Sequence, residues 1–175
     1  MNVAITTWEY LSKANFDEQK FEHIDSRLMD KQTKLVISVA RQLYTKAKGN
    51  EIPPKDLGIV LSCETGPIEA IKEYNSILKE KGYVGVNPSK FPNIMSATPL
   101  ARISIDIGAK GPCLPLLTYK TNKHALIYAT EQIKAGRCRA MIVIFLYKKN
   151  GCLGCFIESE ASCLDRNIDT RLIDI

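Results

Sequence analysis

Short, nearly continuous apolar runs alternate along the chain with longer stretches whose apolar residues recur every three to four positions. Val3 to Trp8 is short, apolar and β-branched, the pattern of an opening strand. From Asp25 to Lys48, apolar residues recur at Leu28, Leu35, Val36, Val39, Ala40, Leu43 and Ala47, which predicts an amphipathic helix closed by Gly49-Asn50. Leu57 to Cys63 is almost continuously apolar and of strand length, so a strand buried on both faces is expected. Pro67 stands where a helix begins, and Ile68, Ile71, Asn75 and Leu78 mark one face of it as far as Lys81-Gly82. Pro88 and Pro92 bracket an irregular section. Ser96 to Ile107 predicts another helix, with Pro99 in its first turn and Leu100, Ile103, Ser104 and Ile107 on one side.

Cys113 to Thr118 reads as a strand whose Pro115 places it at an edge or an interface. Asn122 is the expected N-cap of a helix that turns Ala125, Leu126, Ala129 and Ile133 inward and ends at Gly136. Arg139 to Tyr147 holds the strongest buried-strand signal, Met-Ile-Val-Ile-Phe-Leu; Lys148 to Gly151 is a hairpin turn by composition, and Cys152 to Glu158 returns as its partner. From Leu164 onward the residues read as a frayed or partner-dependent tail, dividing the chain into a domain at 1–163 and a tail at 164–175. The alternation predicts an α/β layer, a mainly parallel sheet with an antiparallel edge. There is no internal repeat and no low-complexity segment.

Composition changes this picture little. At 175 residues, 45% hydrophobic and 25% charged, the chain fits one globular domain. No apolar run reaches the ~20 residues of a membrane span, and the N-terminus lacks the basic and apolar regions of a secretory signal, so a cytoplasmic protein without a membrane span is expected. The net charge of +5 is spread among acids rather than stacked in a stripe, which argues against nucleic acid as the partner and suits an acidic protein surface equally well. Six cysteines fall mostly inside apolar runs and read as reduced structural thiols. Cys152 and Cys155 have a spacing that can hold zinc, but on a strand they point to opposite faces, and no second pair follows; no metal and no cofactor are expected.

Four segments, taken together, resemble a known family. Arg27-Leu28-Met29-Asp30-Lys31-Gln32-Thr33-Lys34-Leu35 is similar to the R-x-M-D-x-x-x-x-L segment of β-ketoacyl synthases, the condensing enzymes of fatty acid and polyketide synthesis. Phe91-Pro92-Asn93-Ile94-Met95 resembles their F-P-N-x-M segment, and Ser104 to Pro112 resembles the stretch before their nucleophile, which ends G-x-x-G-P. His124-Ala125-Leu126, followed by Gly136 to Met141, resembles the helix and strand after the active cysteine. The resemblance runs from about residue 24 to 162. It implies the N-terminal half of a thiolase-like fold, a mixed, mostly parallel five-stranded sheet in the order β-α-β-α-β-α-β-β, which in the family packs against a similar C-terminal half.

Two departures shape the functional expectation. In the family the cysteine stands at a strand-to-helix elbow, where a helix N-terminus lowers its pKa and amides help form an oxyanion hole. Counting forward from Gly111-Pro112 places Lys120 at the nucleophile's position, and counting back from His124 places Tyr119 there, as though one residue were deleted. A tyrosine hydroxyl with pKa of about 10, or a lysine near ~10.4, is almost wholly protonated at neutral pH and does not replace the thiol. The family's two catalytic histidines and lysine belong to its C-terminal half; His23 and His124, the two histidines here, match neither, and His124 is expected to be structural. Cys113 lies just after Gly-Pro at a strand start and Cys63 ends its strand near the sheet's C-terminal edge, edge positions of the kind where open α/β sheets place ligands, but neither has a recognisable base, and both are read as core or edge packing.

The resemblance then implies a pseudoenzyme, with no catalytic residues, that works by association: with itself as a dimer, with a ketosynthase-type subunit as a heteromer, or with an acyl carrier protein. Phe91, Pro92, Met95, Cys113, Pro115 and Leu117 are the candidate interface residues. Two alternatives stay open. One is an acyltransferase or condensing enzyme of altered chemistry, with Lys120 forming an imine after burial lowers its pKa. The other is a binding module with no acyl role.

Overall fold

The computed structural model describes residues 2–118, 123–168 and 171–172. Strand β1 is Val3–Ser12, longer than its apolar start suggests, because pairing along its whole length with β5 carries Glu9 and Ser12 into the ladder. Helix α1 is Lys31–Lys46. It starts later than the periodicity predicts: Ser26–Leu28 form a separate 3-10 turn, and Asp30 is the true N-cap. The Asp30 carboxylate accepts from the Thr33 amide at 2.8 Å and from the Thr33 hydroxyl at 2.9 Å, so the helix cannot extend backwards through it.

Strand β2 (Leu57–Cys63) leads into helix α2 (Ile68–Lys81), and helix α3 (Thr98–Ile107) leads into strand β3 (Cys113–Leu117). Helix α4 is Lys123–Lys134, strands β4 and β5 are Ala140–Leu146 and Gly151–Ser159, α5 is Glu160–Asp165 and β6 is Arg171–Leu172. The sheet order is β3-β2-β4-β5-β1-β6. β2 lies parallel to both β3 and β4, while β4, β5, β1 and β6 pair antiparallel. This is the expected mixed α/β layer. The terminal hairpin is not its edge, however, because β1 pairs outside β5 and the two-residue β6 pairs outside β1.

Every residue of β2 and β4 is buried, as the continuous apolar runs require. One face of the sheet carries α1 and α3 over a core that includes Leu35, Leu43, Leu61, Ile103 and Phe156. Added at Gly154, a Cβ would stand 2.5 Å from Leu43 Cδ1 and 2.9 Å from Val39 Cγ1, so the missing side chain is what lets α1 seat on β5. The opposite face is covered by α4, through Ala125, Ala129 and Ile133, over Val60, Met141, Val143 and Ile157. On that face, beyond α4, Trp8 and Tyr10 lie opposite Cys155 and Leu153 and are 63% and 45% exposed.

The boundary expected after residue 163 runs through α5, so the tail is not frayed where it begins. The side chain of Arg166, three residues further on, is only 6% exposed. Its guanidinium donates to the wholly buried Glu158 carboxylate at 2.7 Å, to Glu51 at 3.3 Å, and to the carbonyls of Ala47 and Lys48. Ser162 donates its hydroxyl to the same Glu158 oxygen at 2.9 Å. A carboxylate so far from water needs its counter-charge. Arg166→Ala should therefore destabilise the fold by roughly 3–5 kcal/mol in urea titration, whereas the paired change Glu158→Leu with Arg166→Met should cost clearly less. Equal losses for the two would contradict this account.

Candidate functional site

The parallel strands β3, β2 and β4 end level, with Cys63 in register with both Leu117 and Leu146. What sets β3 into that register is the Gly-x-x-Gly-Pro segment. Gly108 takes a left-handed conformation (φ 72°) to end α3. Gly111 then passes so close to β2 that a Cβ would meet the Leu57 carbonyl oxygen at 2.6 Å. The Gly111 amide donates to Leu57 O at 2.9 Å and the Ile59 amide donates to Pro112 O at 2.9 Å, which starts the ladder. The segment's conformation therefore serves strand placement, and it delivers the chain to the strand ends at Thr118.

There, Cys63, Gly66, Pro67, Ser96, Pro99 and Leu117 line a cleft of about 20 Å³, room for a water molecule and no more. The hydroxyls of Ser62 and Thr118 are 2.6 Å apart beside it. The two nucleophile-equivalent positions, Tyr119 and Lys120, lie outside the described residues, as does the expected N-cap Asn122. His124 is exposed in the first turn of α4. His23 stands across the molecule, its Nδ1 accepting from the Asp25 amide at 3.0 Å and its Nε2 3.8 Å from Asp106. Asp106 belongs chiefly to Arg41, which reaches it with two hydrogen bonds of 2.6 and 2.7 Å. That hydrogen bond raises the Arg41 pKa, and the pair ties α1 to α3 rather than preparing a base.

Five of the six thiols are buried, and burial pushes each of them up: Cys138 and Cys155 to about 12, Cys163 to about 11, and Cys63 and Cys152 in the same direction. Cys152 and Cys155 pack on opposite faces of the sheet, in separate cores, which is not a chelating arrangement. Among the described residues no group of three or more His, Cys, Asp and Glu side chains converges as metal ligands. Cys113 is exposed at the start of β3, with its sulfur 3.4 Å from Ser104 Oγ and no imidazole beside it.

The candidate interface residues divide between two places. Cys113, Pro115 and Leu117 share one face of β3, which is an edge strand as Pro115 predicts. Phe91, Pro92 and Met95 lie on the turns after α2, with Phe91 and Met95 about half exposed and Phe91 edge-on to Tyr74. The sequence gives no sign of the clamp that holds these turns. Asn93, buried, donates its amide to Leu28 O at 2.8 Å, joining the F-P-N-x-M segment to the R-x-M-D segment across 65 residues of chain. An asparagine flanked by proline and isoleucine carries no periodic signal, and only the pairing of the two motifs could have suggested it.

With that geometry in hand, the family follows. The model for the β-ketoacyl synthase N-terminal domain matches residues 3–144, and the chain belongs to that family. Among curated relatives it is 29% identical over 127 residues to 3-oxoacyl-[acyl-carrier-protein] synthase 2 of Staphylococcus aureus, covering 69% of this chain and 32% of the relative. It is 24% identical over 132 residues to the enzyme of the same name in Synechocystis sp. (strain ATCC 27184 / PCC 6803 / Kazusa), covering 73% and 32%. The chain thus spans about a third of the length of the curated relatives it matches.

Among solved structures, a type II polyketide synthase acyl-carrier protein in complex with its ketosynthase matches with TM-score 0.83 at 14% identity, over 97% of this chain and 65% of that one. The ishigamide ketosynthase/chain length factor matches at 0.80 and 17%, over 93% and 63%. A β-ketoacyl synthase from Burkholderia phymatum STM815 gives 0.80 at 14%, over 97% and 62%. These likenesses establish the fold, that of the N-terminal half of a ketosynthase. No helix among the described residues is long and apolar enough to cross a membrane.

The thiol environments make a direct prediction. With a disulfide reagent at neutral pH, one cysteine of the native protein should react promptly and five slowly, because burial leaves almost no thiolate in the five. Cys113→Ser should remove the fast phase. A fast phase that survives this substitution would show an activated thiol that the structure does not contain.

Proposed function

We propose that this ketosynthase-like chain has no condensing activity of its own and acts by associating with a ketosynthase, an acyl carrier protein or both in fatty acid or polyketide synthesis. The observation that carries the reading is the residue count between Gly111-Pro112 and His124, which brings Tyr119 or Lys120 to the nucleophile's position. Neither supplies a thiolate, and the nearest described cysteine at the strand ends, Cys63, is buried with its pKa raised.

Association is supported by what the fold leaves uncovered. Trp8 and Tyr10 stand exposed on the sheet face that α4 covers only in part, and β3 offers an open edge. Aromatic side chains presented this way are the usual anchors of protein interfaces. Three of the matched structures come from proteins whose own descriptions pair a ketosynthase with a carrier protein or a chain length factor. A heteromer with a ketosynthase-type subunit follows that precedent; a homodimer would cover the same exposed face.

In sedimentation at micromolar concentration, the chain should form a homodimer or a stable complex with a ketosynthase or a loaded acyl carrier protein from the same cell. Trp8→Glu should weaken that association by roughly tenfold or more, the loss expected of an anchor residue, without changing the circular dichroism. A chain that stays monomeric with all of these partners would overturn the reading.

A further inference from the structure

Helix α2 is anomalous. It has fourteen residues, among them Ile68, Ile71, Ile77 and Leu78, yet none is buried, and its main contacts are with the turns that follow it rather than with the sheet. One side of it, through Ala70, Tyr74 and Ile77, instead walls a groove of about 770 Å³. The opposite wall is the start of α1 and the turn before it, where Arg27, Met29 and Lys31 face the same space. Val86 and Ile94 add apolar surface, and Asn93 is built into the groove at the clamp that fixes its width. The volume is that of small-molecule sites, ~300–1,000 Å³.

The charges around it are unequal in kind. Three of the lining acids are already engaged: Glu18 by Lys34 at 2.6 Å, Glu73 by Lys90 at 3.8 Å, and Asp30 by its capping bonds to Thr33. Glu69 has Lys72 at 3.5 Å. Arg27 and Lys31, both exposed, have no carboxylate partner among the described residues. They stand on either side of Asp30 at the start of α1; because the Asp30 carboxylate already takes up the Thr33 amide, the two side chains themselves, and not the helix end, supply the attraction for an anion. The groove therefore joins a mixed lining, apolar at Tyr74, Ile77, Val86 and Ile94, to a cationic lip at Arg27 and Lys31; Lys13, also in the lining, donates to the Lys148 carbonyl.

We propose that this groove is a binding site for an amphiphilic anion, an apolar chain ending in a carboxylate or phosphate, with the chain between α2 and Met29 and the head at Arg27 and Lys31. Tyr74 and Ile77 contact the chain; Arg27 sets the preference for a doubly acceptor head, since a guanidinium meets such a group with two parallel hydrogen bonds. The site stands apart from the association reading, because it uses neither Trp8 nor the β3 edge, and either can fail alone.

Calorimetric titration of the full chain with decanoate, decyl phosphate and decanol tests it. Both anions should bind one per chain, decanol at least about tenfold more weakly, and the anion affinities should fall with added salt. Arg27→Glu with Lys31→Glu should weaken decanoate by about tenfold or more, and Ile77→Trp should block both anions by filling the groove. Arg27 and Lys31 are exposed and Ile77 only partly buried, so the far-ultraviolet spectrum should stay unchanged in each variant. No binding of either anion, equal binding of decanol, or binding that survives the double charge reversal would overturn the site. So would loss of binding on Trp8→Glu, or tight binding of an acidic amphipathic peptide where decanoate shows none.

Discussion

The close approach of Gly111 to Leu57 is the constraint on which the ketosynthase half-fold rests. A side chain at that position would occupy the space of the Leu57 carbonyl, so only glycine lets the chain cross there. The two hydrogen bonds flanking it lock β3 parallel to β2, and the shared register brings Cys63, Leu117 and Leu146 to one level. In an open α/β sheet that level is where chemistry is placed. The segment that most strongly marks the family thus works as a positioning device, and it keeps that function whether or not a nucleophile follows.

Placement can be separated from chemistry in the family's motifs, because their work here does not depend on what stands at the elbow. Asp30 caps α1, Asn93 clamps the turns after α2 to Leu28, and Gly111 seats β3; each acts on backbone groups. None of the three needs a nucleophile nearby to do its work. The same view accounts for the tail. Arg166 reaches from beyond α5 to the buried Glu158 and to the end of α1, so residues outside the sheet's core complete its charge balance.

The sheet strands, the helices after β2 and before β3, and the proline-marked edge were legible because each has a local signal: a continuous apolar run, a proline at a helix start, a glycine at its end. The start of α1 was not, since Leu28 fits the helical period although Asp30 caps the helix after it. Strand order was hidden because β1 pairs with residues about 150 positions away and then accepts β6 outside it. The apolar period of α2 was read correctly as helix but says nothing about burial: none of Ile68, Ile71, Asn75 and Leu78 is buried, and the groove is lined by a different side of the helix, through Glu69, Ala70, Glu73, Tyr74 and Ile77. Of the site, the positions of Cys63 and Pro115 were foreseen. The Asn93 clamp, the Arg41–Asp106 pair and the Arg166 network were not, because each joins polar residues far apart in sequence without any periodic mark.

Intact-mass measurement after incubation with acyl thioesters of an acyl carrier protein tests the central claim most directly, since a condensing enzyme must first take the acyl group onto itself. The account predicts an unchanged mass, with no adduct on Lys120, Tyr119 or any cysteine. A stoichiometric acyl adduct that chases onto an acceptor thioester would contradict it.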